Sequence, residues 1–365
     1  MILMIERIHI ERSSRASRFF AVVGLFQLGL LIAAPFFGNR SILYLLVEIF
    51  VYIALASLWN LLAGYTGLVS IGQQAFVGLG GYSLFALTIF TGMPPLLAVL
   101  VAGIIAALFA IPTGFVVFRF KGAYFAIGSW VVAEVYRLTF AQVSVLGGGS
   151  GTSLPVEIVQ HIANSRAERD SVIYWTGLAT VVGVLTVIYL ILRSRWGLAL
   201  TAIRDSEAAA ESVGVDNYRT KFLIYFLTAG ATGSIGALIS LQKLRISPDA
   251  AFSVNDWTAF VIFIVVIGGI GRMEGPFIGT ILFFILREFF ADLGSWYLMF
   301  LGLFAIVMML IVPKGIAGWL AERFDLQIFA LGRRIILPKD EQIALSQFKT
   351  PDTSEKRSPT KVTDD

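Results

Sequence analysis

From Phe19 to Pro313 apolar residues come in long blocks broken by short polar punctuation. Ten blocks can be marked, at 19–37, 42–63, 75–92, 95–118, 123–144, 172–192, 222–242, 257–271, 276–291 and 295–313. A helix crossing a hydrocarbon core of roughly 30 Å at about 1.5 Å per residue needs about 20 mostly apolar residues. Blocks 257–271 and 276–291 are the shortest. None of the blocks alternates apolar and polar side chains, as a membrane β-strand must. Inside a bilayer a helix satisfies its own backbone. The pattern predicts an all-α integral membrane protein with about ten transmembrane helices.

Composition agrees. Mean hydropathy is +0.81, and 57% of residues are apolar against 14% charged. A soluble domain carries about 25% charged residues, so a single soluble core is excluded. There is no cysteine, hence no disulfide framework and no thiol chemistry. The net charge of +4 matters less than its placement. Arg7, Arg12, Arg15 and Arg18 precede the first block, against Glu6 and Glu11. With that lead inside, alternation also puts inside Arg119 and Lys121, the basic loop 193–221, Arg272 and everything after Pro313. The loop 145–171, with Glu157, Glu168 and Asp170 balancing Arg166 and Arg169, falls outside. Both termini are therefore expected in the cytoplasm. Arg40, in a very short outer turn, is a minor exception. The first block exceeds a signal-peptide core of about 7–15 residues, and no A-x-A site follows Ala34, so it is expected to be retained.

The chain divides into three regions: a cytoplasmic lead 1–18, a membrane domain 19–313, and a polar cytoplasmic tail 314–365. Residues 316–331 have helical character, whereas 350–365, rich in Ser, Thr, Lys, Asp and Pro, have no apolar face to bury and are expected to be disordered. Within the membrane domain Ala98, Ala102, Ala106 and Ala110 recur on one helix face, as do Ala229, Gly233 and Ala237. Small residues at this spacing let membrane helices approach closely.

Catalytic signatures are missing. There is no G-x-x-x-x-G-K-[ST] to cradle ATP phosphates and no G-x-S-x-G elbow, and His9 and His161 are the only histidines. An enzyme is not expected, and no metal or cofactor is expected to bind directly. Polar and glycine residues instead gather at Asn60–Phe76, between the second and third blocks. Irregular backbone at membrane depth is tolerated only where it is buried in protein or faces water. Gly64, Tyr65, Thr66, Gly67, Ser70, Gly72, Gln73 and Gln74 are thus candidates to line a translocation path, a tight polar turn being the alternative. Gly147–Thr152, glycine-rich, reads equally as a ligand-approaching backbone or a flexible outer turn. Glu134 and Arg137 sit three apart and can pair on one face, with Glu134 a further path candidate or Arg137 reaching the outer surface. Glu48 reads as a lone carboxylate facing the bundle interior, open to protonation.

Loop 193–221 holds Asp205 and Ser206 as possible helix caps, the helix formers Ala208–Ala210, and Gly214 as a left-handed stop. On a helical wheel Ile203, Ala210 and Val213 fall on one side and Arg204, Glu207 and Glu211 on another, a short amphipathic helix on the cytoplasmic surface. The polar side is acidic and anionic lipid would repel it, so a protein partner is expected on this face.

Gly64-Tyr65-Thr66-Gly67-Leu68-Val69-Ser70-Ile71-Gly72, Gly122-Ala123-Tyr124-Phe125-Ala126-Ile127, Ala202-Ile203-Arg204-Asp205-Ser206-Glu207-Ala208-Ala209, Gly268-Gly269-Ile270-Gly271 with Gly275-Pro276, and Pro313-Lys314-Gly315-Ile316 together resemble the LivM-type permeases. These are membrane subunits of ABC importers for branched-chain amino acids, with urea and amide permeases as near relatives. The resemblance covers roughly 40–320. It implies the ABC importer permease fold, a second related permease subunit, two ATP-binding cassette subunits that use the ATP, a periplasmic solute-binding protein, and the bacterial plasma (inner) membrane. It also implies that Arg204, Glu207, Ala208, Ala209 and Gly214 belong to the loop that couples to the ATPase. Four residues separate Ala209 from Gly214, one more than in the general importer motif. The expected mechanism is alternating access driven through that loop. The competing reading is a stand-alone secondary transporter using Glu48 or Glu134 for proton coupling. A third is a membrane scaffold that moves nothing.

Overall fold

The computed structural model describes residues 9–11, 15–163, 165–290, 294, 296–324, 329 and 334–336. Most of the lead 1–18 and all of 350–365 lie outside the described residues, as does the disorder expected there.

The described chain is helical almost throughout, and each of the ten apolar blocks carries a helix. In order these are α1 (Arg15–Phe37), α2 (Arg40–Asn60), α3 (Gln73–Thr91), α4 (Pro95–Val117), α5 (Ala123–Ala141), a short α6 (Val156–Gln160), and α7 (Arg166–Arg193). Then come α8 (Arg195–Asp205), α9 (Glu207–Ser212), α10 (Asn217–Lys243), a one-turn α11 (Pro248–Ala251), α12 (Phe260–Gly268), α13 (Gly275–Phe289), α14 (Trp296–Ile311) and α15 (Gly315–Phe324). Among the described residues seven helical stretches are both long and apolar enough to cross a membrane: Arg40–Tyr65, Gln73–Thr91, Pro95–Val117, Arg166–Arg193, Asn217–Lys243, Pro248–Gly268 and Trp296–Arg323. The shorter apolar stretch Val22–Phe37 lies in α1. The protein is a multi-pass helical membrane protein.

The second half of α2 is the hub. Every residue from Phe50 to Thr66 is buried. A helix that is apolar all round belongs in the middle of a bundle, and α7, α10, α12 and α13 pack around this one. Beside it, α3, α4 and α10 form the tightest packing. Ala98, Ala102, Ala106 and Ala110 are fully buried against α10. A Cβ on Gly233 would overlap that of Ala106, one on Gly103 would meet Ser234 Oγ, and one on Gly80 would overlap the Gly233 carbonyl. The small-residue stripes therefore hold helices together at backbone distance.

The short blocks pair with each other. Gly268 lies against the Gly275 carbonyl and Gly279 against that of Ile264, so α12 and α13 make a close hairpin. Its turn needs Gly269 at φ 127° and Gly271 at φ 74°, conformations that suit glycine.

Two small antiparallel ladders close the structure. β2 (Thr152–Ser153) pairs with β3 (Arg245–Ile246), fastening the glycine-rich turn 147–151 to the end of α10. A Cβ on Gly151 would overlap the Ile246 carbonyl. The glycines thus serve a close backbone approach rather than a loose turn. β1 (His9–Glu11) pairs with β4 (Arg334–Ile336), which holds the segments before α1 and after α15 on one face of the bundle.

Candidate functional site

Helix α2 does not stop at Asn60; it loosens into a π-helical turn, Leu61–Tyr65. Such single turns accommodate one extra residue and occur often at functional sites. Thr66 Oγ1 ends the turn by donating to the Leu62 carbonyl at 2.6 Å. Residues 66–72 then run as irregular backbone to α3.

Asn60 holds this break. Its Nδ2 donates to the Arg272 carbonyl at 2.8 Å, and its Oδ1 accepts from the Gly271 amide at 2.8 Å. One buried amide side chain thereby satisfies both backbone groups of the α12–α13 turn. The contact is close enough that a Cβ on Gly64 would sit 2.5 Å from the Gly271 nitrogen. A third segment joins from α8. Arg204 Nη1 donates to the Gly64 carbonyl at 3.2 Å, while its Nε donates to Asp205 at 3.1 Å. The π-turn, the α12–α13 turn and the end of α8 thus form one knot at the same end of the bundle.

Most of the remaining polar groups of 66–74 are also engaged within the chain, the buried Gln73 Oε1 being an exception with no partner among the described residues. Trp59 Nε1 donates to the Ser70 carbonyl at 2.8 Å, the Ile71 amide to Ser129 Oγ at 3.0 Å, and Gln73 Nε2 to the Leu55 carbonyl at 3.1 Å. Thr258 Oγ1 donates to Gln74 Oε1. Gly64, Tyr65, Thr66, Ser70, Gly72, Gln73 and Gln74 are buried; Gly67 is exposed and takes φ 74°. Gly67 and Val69 line a cavity of about 220 Å³ together with Phe120, Lys121, Glu207, Glu211 and Lys221. Seven of the eight residues proposed at this break are therefore interior, and the loop of the eighth opens toward α9.

The short helix expected before Gly214 is α9, and a second helix, α8, runs into it. The chain breaks at Ser206, whose φ and ψ of −162° and 113° are extended. Its Oγ accepts from the Ala209 amide at 3.3 Å, so Ser206 rather than Asp205 is the cap. α9 ends at Ser212, and Val213 is its C-cap. Ile203 and Ala210 remain buried, but Val213 is 75% exposed instead of sharing their side. Gly214 at φ 87° ends α9, and the Val215 amide reaches back to the Ala210 carbonyl at 3.0 Å. Glu207 is tied to Lys221 at the start of α10 by a 2.6 Å ion pair, and Asn217 Nδ2 donates to the Glu207 carbonyl at 2.8 Å. Arg204, Glu207, Ala208, Ala209 and Gly214 all lie on the exposed rim.

Glu134 belongs to another cluster. Arg137 holds it at 2.6 Å and reaches Asp249 in α11 at 2.5 Å. Arg137 is thus fixed by two carboxylates on different elements, and the structure does not bring Glu134 to the break at 61–72.

Glu48 is not alone. Arg287 of α13 binds both its oxygens, Nη1 to Oε1 at 2.6 Å and Nη2 to Oε2 at 2.9 Å. In sequence Glu48 looks isolated because its partner lies 239 positions away. A lone arginine in the apolar block 276–291 is the one signal of the pair, since a cation at that depth demands a carboxylate. Asn60 is likewise a site residue that the pattern of the chain does not single out, although a lone amide in an apolar run needs partners.

The architecture is a polytopic helical membrane bundle with a broken central helix tied to a surface helix pair, and the sequence comparisons place it among transport permease subunits rather than enzymes. The sequence matches the family described as branched-chain amino acid transport system / permease component over residues 41–313, and the chain belongs to that family. It is 28% identical over 317 residues to the high-affinity branched-chain amino acid transport system permease protein LivM of Escherichia coli, covering 80% of this chain and 74% of the relative. The LivM protein of Salmonella typhimurium matches with the same identity and coverage. The fructose import permease protein FruG of Bifidobacterium longum is 22% identical over 306 residues, 79% of this chain and 88% of its own. No solved structure matches.

Proposed function

We propose that this chain is the membrane-spanning permease subunit of an ATP-driven ABC importer and forms half of a translocation path for branched-chain amino acids. Family membership supports the transport role. The observation that carries the coupling is the bond from Arg204 to the Gly64 carbonyl, because it joins an exposed surface helix to the break in the buried central helix.

In the frame set by the basic loops, α8 and α9 lie on the cytoplasmic face. α1, α5 and α13 join the seven longer stretches as spans, giving ten. The β1–β4 pairing supports this count, since two ends held on one face require an even number of crossings. The protein sits in the bacterial plasma membrane beside a second related permease. Two ATP-binding cassette subunits dock against Glu207, Ala208, Ala209 and Gly214, and a periplasmic binding protein delivers the solute. ATP is used by those partners, and this chain binds no cofactor. Docking moves α8–α9 as a lever, and Arg204 passes the displacement to the π-turn. The chain then alternates between two arrangements with different affinities for its partners. A stand-alone proton-coupled carrier would need a carboxylate free to change protonation, whereas Glu48 and Glu134 are each held by an arginine.

The test is affinity purification of the tagged chain in mild detergent, with mass spectrometry of the proteins that remain bound. Recovery of a P-loop ATPase and a second permease is expected. A clean single-component homo-oligomer would overturn the reading.

A further inference from the structure

At the end of the bundle away from α8–α9 lies a cavity of about 680 Å³. Its walls come from the first turns of α2 (Arg40, Tyr44, Glu48), the last turn of α10 (Lys243), Trp257, and Arg287 of α13. In the frame of the proposed function, on which this inference rests, that end faces outside.

The chemistry of this cavity is unusual for membrane depth. Glu48 and Arg287 form a bidentate pair, yet their side chains are 38% and 37% exposed, so the pair is open to a ligand. A carboxylate has about four acceptor sites and a guanidinium five donors, so two bonds leave capacity on both. Lys243 Nζ lies 5.1 Å over the Trp257 ring and has no carboxylate partner among the described residues. Arg40 is engaged with Asp170 at 2.9 Å. One ion pair with spare valence and one cation held only by a ring thus share a space whose other walls include Leu45, Val51, Ile239 and Trp257.

We propose that this cavity binds an aliphatic α-amino acid as its zwitterion. The ligand ammonium meets Glu48, the ligand carboxylate meets Lys243 and the free donors of Arg287, and the aliphatic side chain lies against Val51 and Trp257. Both charges of the ligand are answered, which a neutral sugar or a simple amide cannot exploit. The site faces the side from which solute arrives and precedes the break at 61–72 along α2.

The experiment uses the full-length chain in nanodiscs and radiolabelled leucine. Saturable binding is expected, displaced by isoleucine and valine but not by fructose. Isoamylamine and 4-methylvalerate, each carrying one of the two charges, are expected to displace poorly. Lys243→Gln and Glu48→Gln are each expected to weaken binding by about tenfold or more, the effect of losing one charged contact. Absence of saturable binding by the wild-type chain would overturn the proposal, as would wild-type binding by both variants. The double variant Glu48→Arg, Arg287→Glu restores an ion pair with reversed direction. If it binds leucine like wild type, the pair is a helix fastener and the proposal falls; stable, non-binding protein supports it. Recovery of an ATPase with the wild-type chain is scored separately. Its failure bears on the importer reading, and loss of leucine binding bears on the cavity.

Discussion

Arg204, on the exposed rim of α8, donates to the backbone carbonyl of Gly64, 140 positions earlier in the chain and inside the bundle. A guanidinium has no acceptor function and cannot lose its charge. The carbonyl it holds belongs to a π-turn, whose backbone is less tightly committed than that of an α-helix.

Replacing Arg204 by glutamine should loosen this joint without dissolving the fold, because the side chain is 40% exposed and fills no core space. Amide hydrogen exchange should rise in 61–68 and 269–275 and stay unchanged in α4. Solute uptake in reconstituted complex should fall by about tenfold while the ATPase still binds, consistent with a charged hydrogen bond worth roughly 1.5–3 kcal/mol. Unchanged exchange at 61–68 would refute the joint.

Charge reversal at Glu207 tests the partner face. Glu207→Lys replaces the 2.6 Å pair with Lys221 by two like charges. Glu207 is 59% exposed but Lys221 only 12%, so losing the pair costs some stability at the start of α10; the apolar blocks are untouched, and the bundle should still fold and insert. Binding of the ATPase subunits and stimulated ATP hydrolysis should drop severalfold, more at low salt than at high. Normal stimulated hydrolysis and uptake in this variant would count heavily against α9 as the docking element.

Asn60 offers a third test. Asn60→Leu keeps the side-chain branching and heavy-atom count but leaves the Gly271 amide and the Arg272 carbonyl without the partner each has now. Each unpartnered buried backbone group costs about 1–3 kcal/mol. The midpoint of thermal unfolding in detergent should fall clearly, and the fall should exceed that of Val22→Ala on the exposed face of α1. Equal midpoints for the two variants would mean the knot at 60, 271 and 272 carries no stability.

The legibility of each feature in the sequence depends on the range of the interaction behind it. The ten helices lie where the apolar blocks lie, because local composition decides whether backbone can enter lipid. The stop at Gly214 is readable too, since caps are set within a few residues. The wheel groups Val213 with the buried Ile203 and Ala210, but α9 ends at Ser212 and Val213, at its C-cap, turns out to solvent. Long-range partners are out of reach. Glu48 gives no hint of Arg287, nor Glu134 of Asp249 through Arg137, because no sequence pattern reports which helices become neighbours. The polar residues at 60–74 point correctly to an irregular segment, but not to how completely Asn60, Ser70, Gln73 and Gln74 are buried in this chain.

The glycine stripe allows the sharpest stability prediction. Gly233 lies where α10 meets α4 and α3, with its own carbonyl against Gly80 and no room for a Cβ beside Ala106. Without a strong hydrophobic drive between membrane helices, this close fit supplies the association. Overfilling a packed core costs about 1–3 kcal/mol even where neighbours can shift, and here the neighbour is the Ala106 Cβ, fixed to the α4 backbone and unable to swing aside. Gly233→Ala should lower the unfolding midpoint measurably, and Gly233→Leu should lower it further or prevent recovery of monodisperse protein. Gly183→Leu, at a position in α7 with nothing near an added Cβ, is the control and should behave as wild type. A fully stable Gly233→Leu protein would mean that α3, α4 and α10 separate easily, and the rigid support for the lever at α8–α9 would be lost with them.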